Sequence, residues 1–428
     1  MTTVTNLQRT GKLHKDEAMP DRVVVINDFS VVRGGATSIA VLSAKLLSAR
    51  GIPVTLITGD KAGKIFTAGE ATFEVAAIGG THVLEGGRLS ALVRGIYNRR
   101  SARFISRWLA LNDTPRTIYH LHGWSKVLSP SVFKALQPVR ARLVVHAHDF
   151  FLACPNGGYF NFRRGCACDL RPLSAACLKT NCDRRHYVHK LWRALRLGVL
   201  RAINNPISGA GRILAVHDGM IALLERGGIG RRSLGVLRNP VVPWRTERVP
   251  AERNRHFLFV GRLDADKGAD VVARAAHRAG LPLRMIGSGP LEDEIRRNFP
   301  GVELTGWKTQ AEIAALCLDA RAVVMPTRSR ETFGLAALEA MLSGLPVIMA
   351  SGAMLAPEIV AGNFGVICDP QDKIGLADIL TRVARDDVAV ATMSRNAHSG
   401  ARKLAPTSGE WTDRLLATYR ALLQRTSK

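Results

Sequence analysis

Between residues 256 and 334 an apolar run ends four times in a loop of small, charged or hydroxyl residues. The runs are HFLFV before GRLDADKG, LRMI before GSGP, VEL before TGW, and ARAVVM before PTRSRETFG, with helical stretches between them. Strands buried on both faces read as continuous apolar runs. Their alternation with helices builds a parallel sheet whose loops collect at one edge. RVVVIND and RLVVHAHD, nearer the N-terminus, have the same character and call for a second sheet. At 428 residues and 46% hydrophobic content, the chain exceeds one core and suits two α/β domains.

The fourth loop runs into ETFGLAALEAMLSGLP, which carries two carboxylates, Glu331 and Glu339. Glu331 stands just before an Ala/Leu-rich helical run and Glu339 near its second turn, with Gly334 at the start. A helix N-terminus presents unpaired N–H groups and partial positive charge, so the Phe333–Leu335 backbone is a seat for a pyrophosphate. Gly334 to Glu339 spans roughly 7.5 Å at about 1.5 Å per residue, the reach from a nucleotide's phosphates to its ribose. An amphipathic helix with two solvated acids is the plainer alternative. Arg262 and Lys267, on the loop after HFLFV, add two cations suited to a diphosphate: a bidentate fork and a mobile point charge.

With these residues together, the chain resembles the family-4 retaining glycosyltransferases of the GT-B fold. The matching pieces are GRLDADKG (261–268), IGSGP (286–290), LTGW (304–307), PTRSRETFGLAALEAMLSGLPVI (326–348) with its E-x7-E pattern, and PEIV and FGVICDP within 357–370. VVRGGATSIAVLSAKLLSARGIPVTLITG (31–59) and LRNPV (237–241) resemble the family's first strand–Gly-Gly–helix unit and its interdomain crossing. The match is specific in the second half and looser in the first.

The resemblance implies two Rossmann-like domains facing each other across a cleft. The expected division is a flexible tail (1–20), an acceptor-side domain (21–238) with a Cys-rich insertion (154–182), a linker (239–249), and a nucleotide-sugar domain (250–405). A last helix (406–428) is expected to return to the first domain. The implied activity is that of a hexosyltransferase: a sugar moves, with retention, from a nucleotide diphosphate-sugar to a glycan or lipid-linked acceptor, as in bacterial polysaccharide biosynthesis. Arg262 and Lys267 would neutralise the departing diphosphate. Gly34, Gly35, Gly287 and Gly289 would bring backbone close to it. Glu331 would orient sugar hydroxyls and Glu339 would hold the ribose. No cofactor is expected for catalysis. A nucleotide-dependent oxidoreductase using GSGPLE as a dinucleotide loop is the lesser alternative, since Glu292 stands in place of that loop's third glycine. A non-catalytic basic binding protein on the same fold remains the alternative.

Three further signals stand out. IYHLHGW and RLVVHAHD each place two histidines on one face of a strand. By the resemblance, His122 would face the donor sugar, and His148 with Asp149 would line the acceptor side; satisfied core histidines are the alternative. Five of seven cysteines fall between 154 and 182. Cys154, Cys166, Cys177 and Cys182 form a candidate structural zinc set, although no C-x2-C knuckle is present, and reduced structural thiols or a redox role stay open. The net charge is +25, with six arginines and no acid from Gly86 to Asn112 and a second basic stretch from Arg184 to Arg201. Aromatic and aliphatic residues interleave with both, the pattern of helices that lie on an anionic membrane. A solvated basic face is the alternative, and no nucleic-acid motif is present. With no apolar run of about 18 residues and no signal core, the expected location is cytoplasmic, peripheral on the inner face of the membrane.

Overall fold

The computed structural model describes residues 19–31, 34–61, 73–82, 88–203, 211–372 and 374–426. All of the expected N-terminal tail except Met19 and Pro20 therefore lies outside the described residues.

The first sheet comprises β1 (Arg22–Asn27), β2 (Val54–Thr58), β3 (Glu74–Ala77), β4 (Thr117–Leu121), β5 (Leu143–Ala147), β8 (Arg212–Ala215) and β9 (Leu234–Val236). Its order is β3-β2-β1-β4-β5-β8-β9, with every pair parallel. Between β5 and β8 the chain forms a small antiparallel hairpin, β6 (Phe160–Asn161) and β7 (Cys166–Ala167). The second sheet comprises β10 (His256–Val260), β11 (Leu283–Ile286), β12 (Glu303–Gly306), β13 (Ala320–Met325), β14 (Val347–Ala350) and β15 (Gly365–Cys368). Its order is β12-β11-β10-β13-β14-β15, again all parallel. The chain is thus an α/β protein with two doubly wound sheets.

Parallel sheets of this kind need apolar cover on both faces, and the sequence supplies it. Val23, Val24, Val25 and Ile26 of β1 are all fully buried. One face of the first sheet is covered by the helix Gly35–Ala49 and by the last helix, Ser408–Thr426, through Trp411, Leu415, Tyr419 and Leu422. Trp411 and Tyr419 have no exposed surface, and burying each large side chain contributes roughly 1.5–3 kcal/mol.

In each sheet the strand order reverses next to the first-formed strand, between β1 and β4 and between β10 and β13. Open parallel sheets bind ligands beyond the strand C-termini at that switch point. The loops after these four strands are those carrying Gly34–Gly35, His122, Arg262–Lys267 and Glu331. Among the described residues, no helix is long and apolar enough to cross a membrane.

Candidate functional site

After β10 the chain turns sharply because the Asp264 carboxylate accepts the backbone N–H of Lys267 at 3.1 Å. Asp264 also holds the Arg262 guanidinium. The turn delivers the Lys267 ammonium to Glu331 Oε2, 2.5 Å away on the loop after β13. Burial alone would push the Glu331 carboxyl up. The Lys267 charge and the N–H groups of Gly334 and Phe333 outweigh it and hold the group below the usual carboxylate range. Glu331 in turn raises Lys267, so the pair stays ionised at neutral pH. Gly334 then adopts φ 76°, a left-handed conformation suited to glycine, and opens the helix Leu335–Leu342.

These groups face a cavity of about 410 Å³ between the two sheets. Gly34, Gly35, His148 and Asp149 line it from the first sheet, and Arg262, Lys267, Glu331, Phe333, Gly334 and Leu335 from the second. The two helix N-termini nearly touch: a Cβ on Gly35 would lie 3.1 Å from Leu335 Cδ1. The walls are tied by the Thr332 hydroxyl, which donates to the His148 carbonyl at 2.8 Å.

Four expected residues do not line this cavity. Gly287 and Gly289 stand behind the Arg262 turn, where a Cβ would lie 1.9 Å from the Gly261 carbonyl and 2.4 Å from that of Leu263. A side chain at either position would collide with that backbone, so both glycines serve close packing there. Glu339 accepts hydrogen bonds from Trp244 Nε1 at 3.2 Å and Gln310 Nε2 at 2.9 Å, and desolvation raises its carboxyl above the ordinary range. His122 is buried behind His148.

The β4–β5 register explains that inversion. Leu121 pairs with Val145, so His122 falls level with His146, and His148 extends about two residues further toward the cavity. All four imidazoles pack together. Burial drives His120 and His148 down to about 3 and His122 and His146 well below the ordinary value, so all are neutral. Elimination then assigns the protons. The Ser43 hydroxyl donates to the Ala40 carbonyl at 2.7 Å, so it accepts from His122 Nε2 at 3.4 Å. His122 Nδ1 therefore carries a lone pair and accepts His148 Nε2–H at 3.0 Å. His148 is left with Nδ1 as an acceptor. On the far side Tyr419 bonds His120 Nδ1 at 2.7 Å, sealing the cluster with the last helix.

The expected cysteine set is not assembled. Cys166 is exposed on β7, while Cys154, Cys177 and Cys182 are buried. The Cys154 thiol donates to Asn156 Oδ1 at 3.1 Å, and the same side chain's amide meets Cys182 Sγ at 3.4 Å. Burial pushes Cys154 up to about 11, favouring a thiol over the thiolate a metal would need. Among the described residues, the trio whose ligand atoms all lie within 4.8 Å of one another is His120, His122 and His146.

Sequence reasoning missed Lys126 and Asn239, which both line the cavity. Lys126 sits on a loop gathered by Asp28, whose carboxylate accepts the N–H groups of Lys126, Val127 and Leu128 at 2.8–2.9 Å. An acid directly after the first strand, in VVVIND, was the available signal. Asn239, read as linker, is buried with Oδ1 unpartnered.

The model of the glycosyl transferases group 1 family matches residues 254–386. Glycogen synthase of Mycobacterium tuberculosis is 30% identical over 304 residues, 65% of this chain and 68% of that protein. D-inositol 3-phosphate glycosyltransferase 1 of Catenulispora acidiphila is 31% identical over 199 residues, 39% of this chain and 44% of that one. Among solved structures, Anabaena HepE in complex with UDP superposes with a TM-score of 0.65 at 16% identity, covering 94% of this chain and all of that one. Sucrose-phosphate synthase of Thermosynechococcus elongatus superposes at 0.69 and 17% identity, covering 95% of this chain and all of that one.

Proposed function

Because the chain belongs to the glycosyl transferases group 1 family, we propose that it transfers a sugar from a nucleotide diphosphate-sugar to a glycan or lipid-linked hydroxyl, with retention of configuration. The observation that carries this reading is the ionised Lys267–Glu331 pair beside the Gly334 helix N-terminus, facing Gly34–Gly35 across one cavity. Cations, an N-terminus and a carboxylate there match a diphosphate with hydroxyls beside it. HepE, of the same fold, has been solved with UDP.

Arg262 and Lys267 neutralise the charge that grows on the departing diphosphate. Glu331, kept anionic by Lys267, orients sugar hydroxyls and stabilises the oxocarbenium-like centre. The acceptor hydroxyl attacks from the face the diphosphate leaves, and a phosphate oxygen takes its proton. His148 Nδ1 and the unpartnered Asn239 Oδ1 accept hydrogen bonds from sugar hydroxyls. Glu339 releases Trp244 or Gln310 to take the ribose.

An anionic membrane surface is the proposed working location, consistent with a lipid-linked acceptor in bacterial polysaccharide assembly. Leu92 and Val93 on the helix Arg88–Ile96, and Val188, Leu191 and Leu195 on the helix Tyr187–Ile203, are exposed. Trp192 Nε1 donates to the Leu92 carbonyl at 3.0 Å, placing the two apolar stripes side by side. Arg196 is not part of that surface: it is buried and donates to the Ser125 carbonyl.

A thermal-shift panel of UDP-, GDP- and ADP-sugars, run on wild type and Glu339→Ala, tests the donor assignment. Selective stabilisation by one nucleotide, lost in the variant, is expected. The absence of any shift overturns the assignment.

A further inference from the structure

A second cavity, also about 410 Å³, lies across the Asp264–Gly268 turn from the first. Ala265 and Asp266 line it, whereas Arg262 and Lys267 line the other, so the two cavities share one thin wall. The β6–β7 hairpin supplies its first-sheet side, with Phe160 and Phe162 in an edge-to-face pair at 5.3 Å. The helix Ala269–Ala279 supplies the other side.

Arginine dominates the lining. Arg163, Arg164, Arg184, Arg274 and Arg328 face only two lining carboxylates, Asp266 and Asp372. Arg328 is satisfied by a fork on Asp270 at 2.7 and 2.6 Å, and Arg184 by Asp266. The Asp372 carboxylate accepts the N–H groups of Ile374 and Gly375 at 3.0 and 2.9 Å. Arg163, Arg164 and Arg274 have no carboxylate partner among the described ion pairs. Arg163 also donates to the Arg185 carbonyl, which leaves its charge unneutralised. Three such guanidiniums around one opening repel one another, and Arg164 and Arg274 offer planar forks matched to phosphate oxygens.

We propose that this cavity binds a small ligand bearing a diphosphate or an equivalent pair of phosphate charges, whose uncharged portion packs on Phe160 and Phe162. A single carboxylate would leave two of the three cations unmatched. The ligand bridges the hairpin and the second sheet, across the gap already spanned by the Arg184–Asp266 ion pair. This site is separate from the donor reading and stands on different residues. The same chemistry comes from a free phosphate ester or from a diphosphate-linked lipid, and the experiment separates them.

Inorganic pyrophosphate is titrated calorimetrically into the full-length wild type, Arg164→Ala/Arg274→Ala, and Arg262→Ala/Lys267→Ala. Two sites are expected in the wild type. The Arg164/Arg274 variant should weaken one by about tenfold or more, as loss of charge-assisted hydrogen bonds does. The Arg262/Lys267 variant should weaken only the other. Arg164 and Arg274 are exposed, so unchanged melting temperatures are expected to confirm folding. Pyrophosphate affinities at both sites unaffected by the Arg164/Arg274 change overturn the proposal. So does a uniform weakening of both sites, which reports net charge alone. A wild type that shows the Arg164/Arg274-dependent site and no other would instead strike the donor reading. Farnesyl diphosphate is the second probe: tighter binding than pyrophosphate at the Arg164/Arg274 site marks a lipid-linked ligand, and equal binding marks a free phosphate ester.

Discussion

The two sheets bring the same kind of edge to the central cavity but back it with different buried groups. The second sheet presents Arg262, Lys267 and Glu331, with Lys267 paired to Glu331 and Arg262 to Asp264. The first presents glycine backbone, Lys126, Asp149 and His148, with the other three imidazoles of a neutral stack packed behind His148. Burial is costly for polar groups in both places. One half meets that cost with an ion pair that keeps its members ionised, the other by leaving its four imidazoles uncharged and directing their hydrogen bonds. Charge on one wall supplies strength, and proton position on the other supplies direction.

Lowering the pH should break the two walls at different points. His120 and His148 titrate at about 3 in the folded chain, against 6.5 ordinarily. The unfolded chain takes up those protons first, so their contribution is complete above pH 6.5 and is lost as pH falls toward 3. The slope is about 1.4 kcal/mol per pH unit for each imidazole. Glu331, held below its ordinary 4.5, begins to lose its contribution only beneath that value. Lys267, raised above 10.5, matters only in alkali. Urea midpoints measured from pH 7 to 5 should therefore fall steeply, and a flat profile would refute the neutral stack.

On the charged wall, Glu331→Gln or Lys267→Ala should cut transfer on the order of 10²-fold, as losing one transition-state stabiliser does. Wild-type turnover in either purified, folded variant would remove the pair from the chemistry. The smallest effect is expected from Ser43→Ala, which never touches the cavity. Losing one neutral hydrogen bond, about 0.5–1.5 kcal/mol, should lower kcat/KM by roughly twofold to thirteenfold. Nitrogen-15 NMR should then show both tautomers of His148. A single unchanged tautomer would mean that Ser43 does not set it.

The charged wall was the more legible half because its chemistry is local. Asp264, Lys267 and Gly268 lie within one turn, and Glu331 and Gly334 within another, so spacing alone brings each group to a strand end. The neutral wall depends on how strands slide past one another. HLH and HAH are equivalent as text, and only the pairing of Leu121 with Val145 puts His148 ahead of His122. Gly287 and Gly289 are ambiguous for a related reason. A glycine-rich loop after a strand looks the same whether the approaching backbone belongs to a ligand or, as here, to Gly261 and Leu263. The cysteines, close in sequence, are separated by a hairpin that turns Cys166 outward while its neighbours go in.

The Tyr419–His120 hydrogen bond has a consequence for synthesis. The imidazole stack belongs to the first sheet, yet its lid is the last helix described, and the entire second sheet is translated in between. At roughly 5–20 residues per second, the ribosome spends on the order of ten seconds on that interval. The nascent first sheet must wait through it with Trp411 and Tyr419 missing and its histidines wet and free to protonate. Its core closes only when the helix Ser408–Thr426 leaves the exit tunnel, so a segment made after the second sheet decides when the first one is finished.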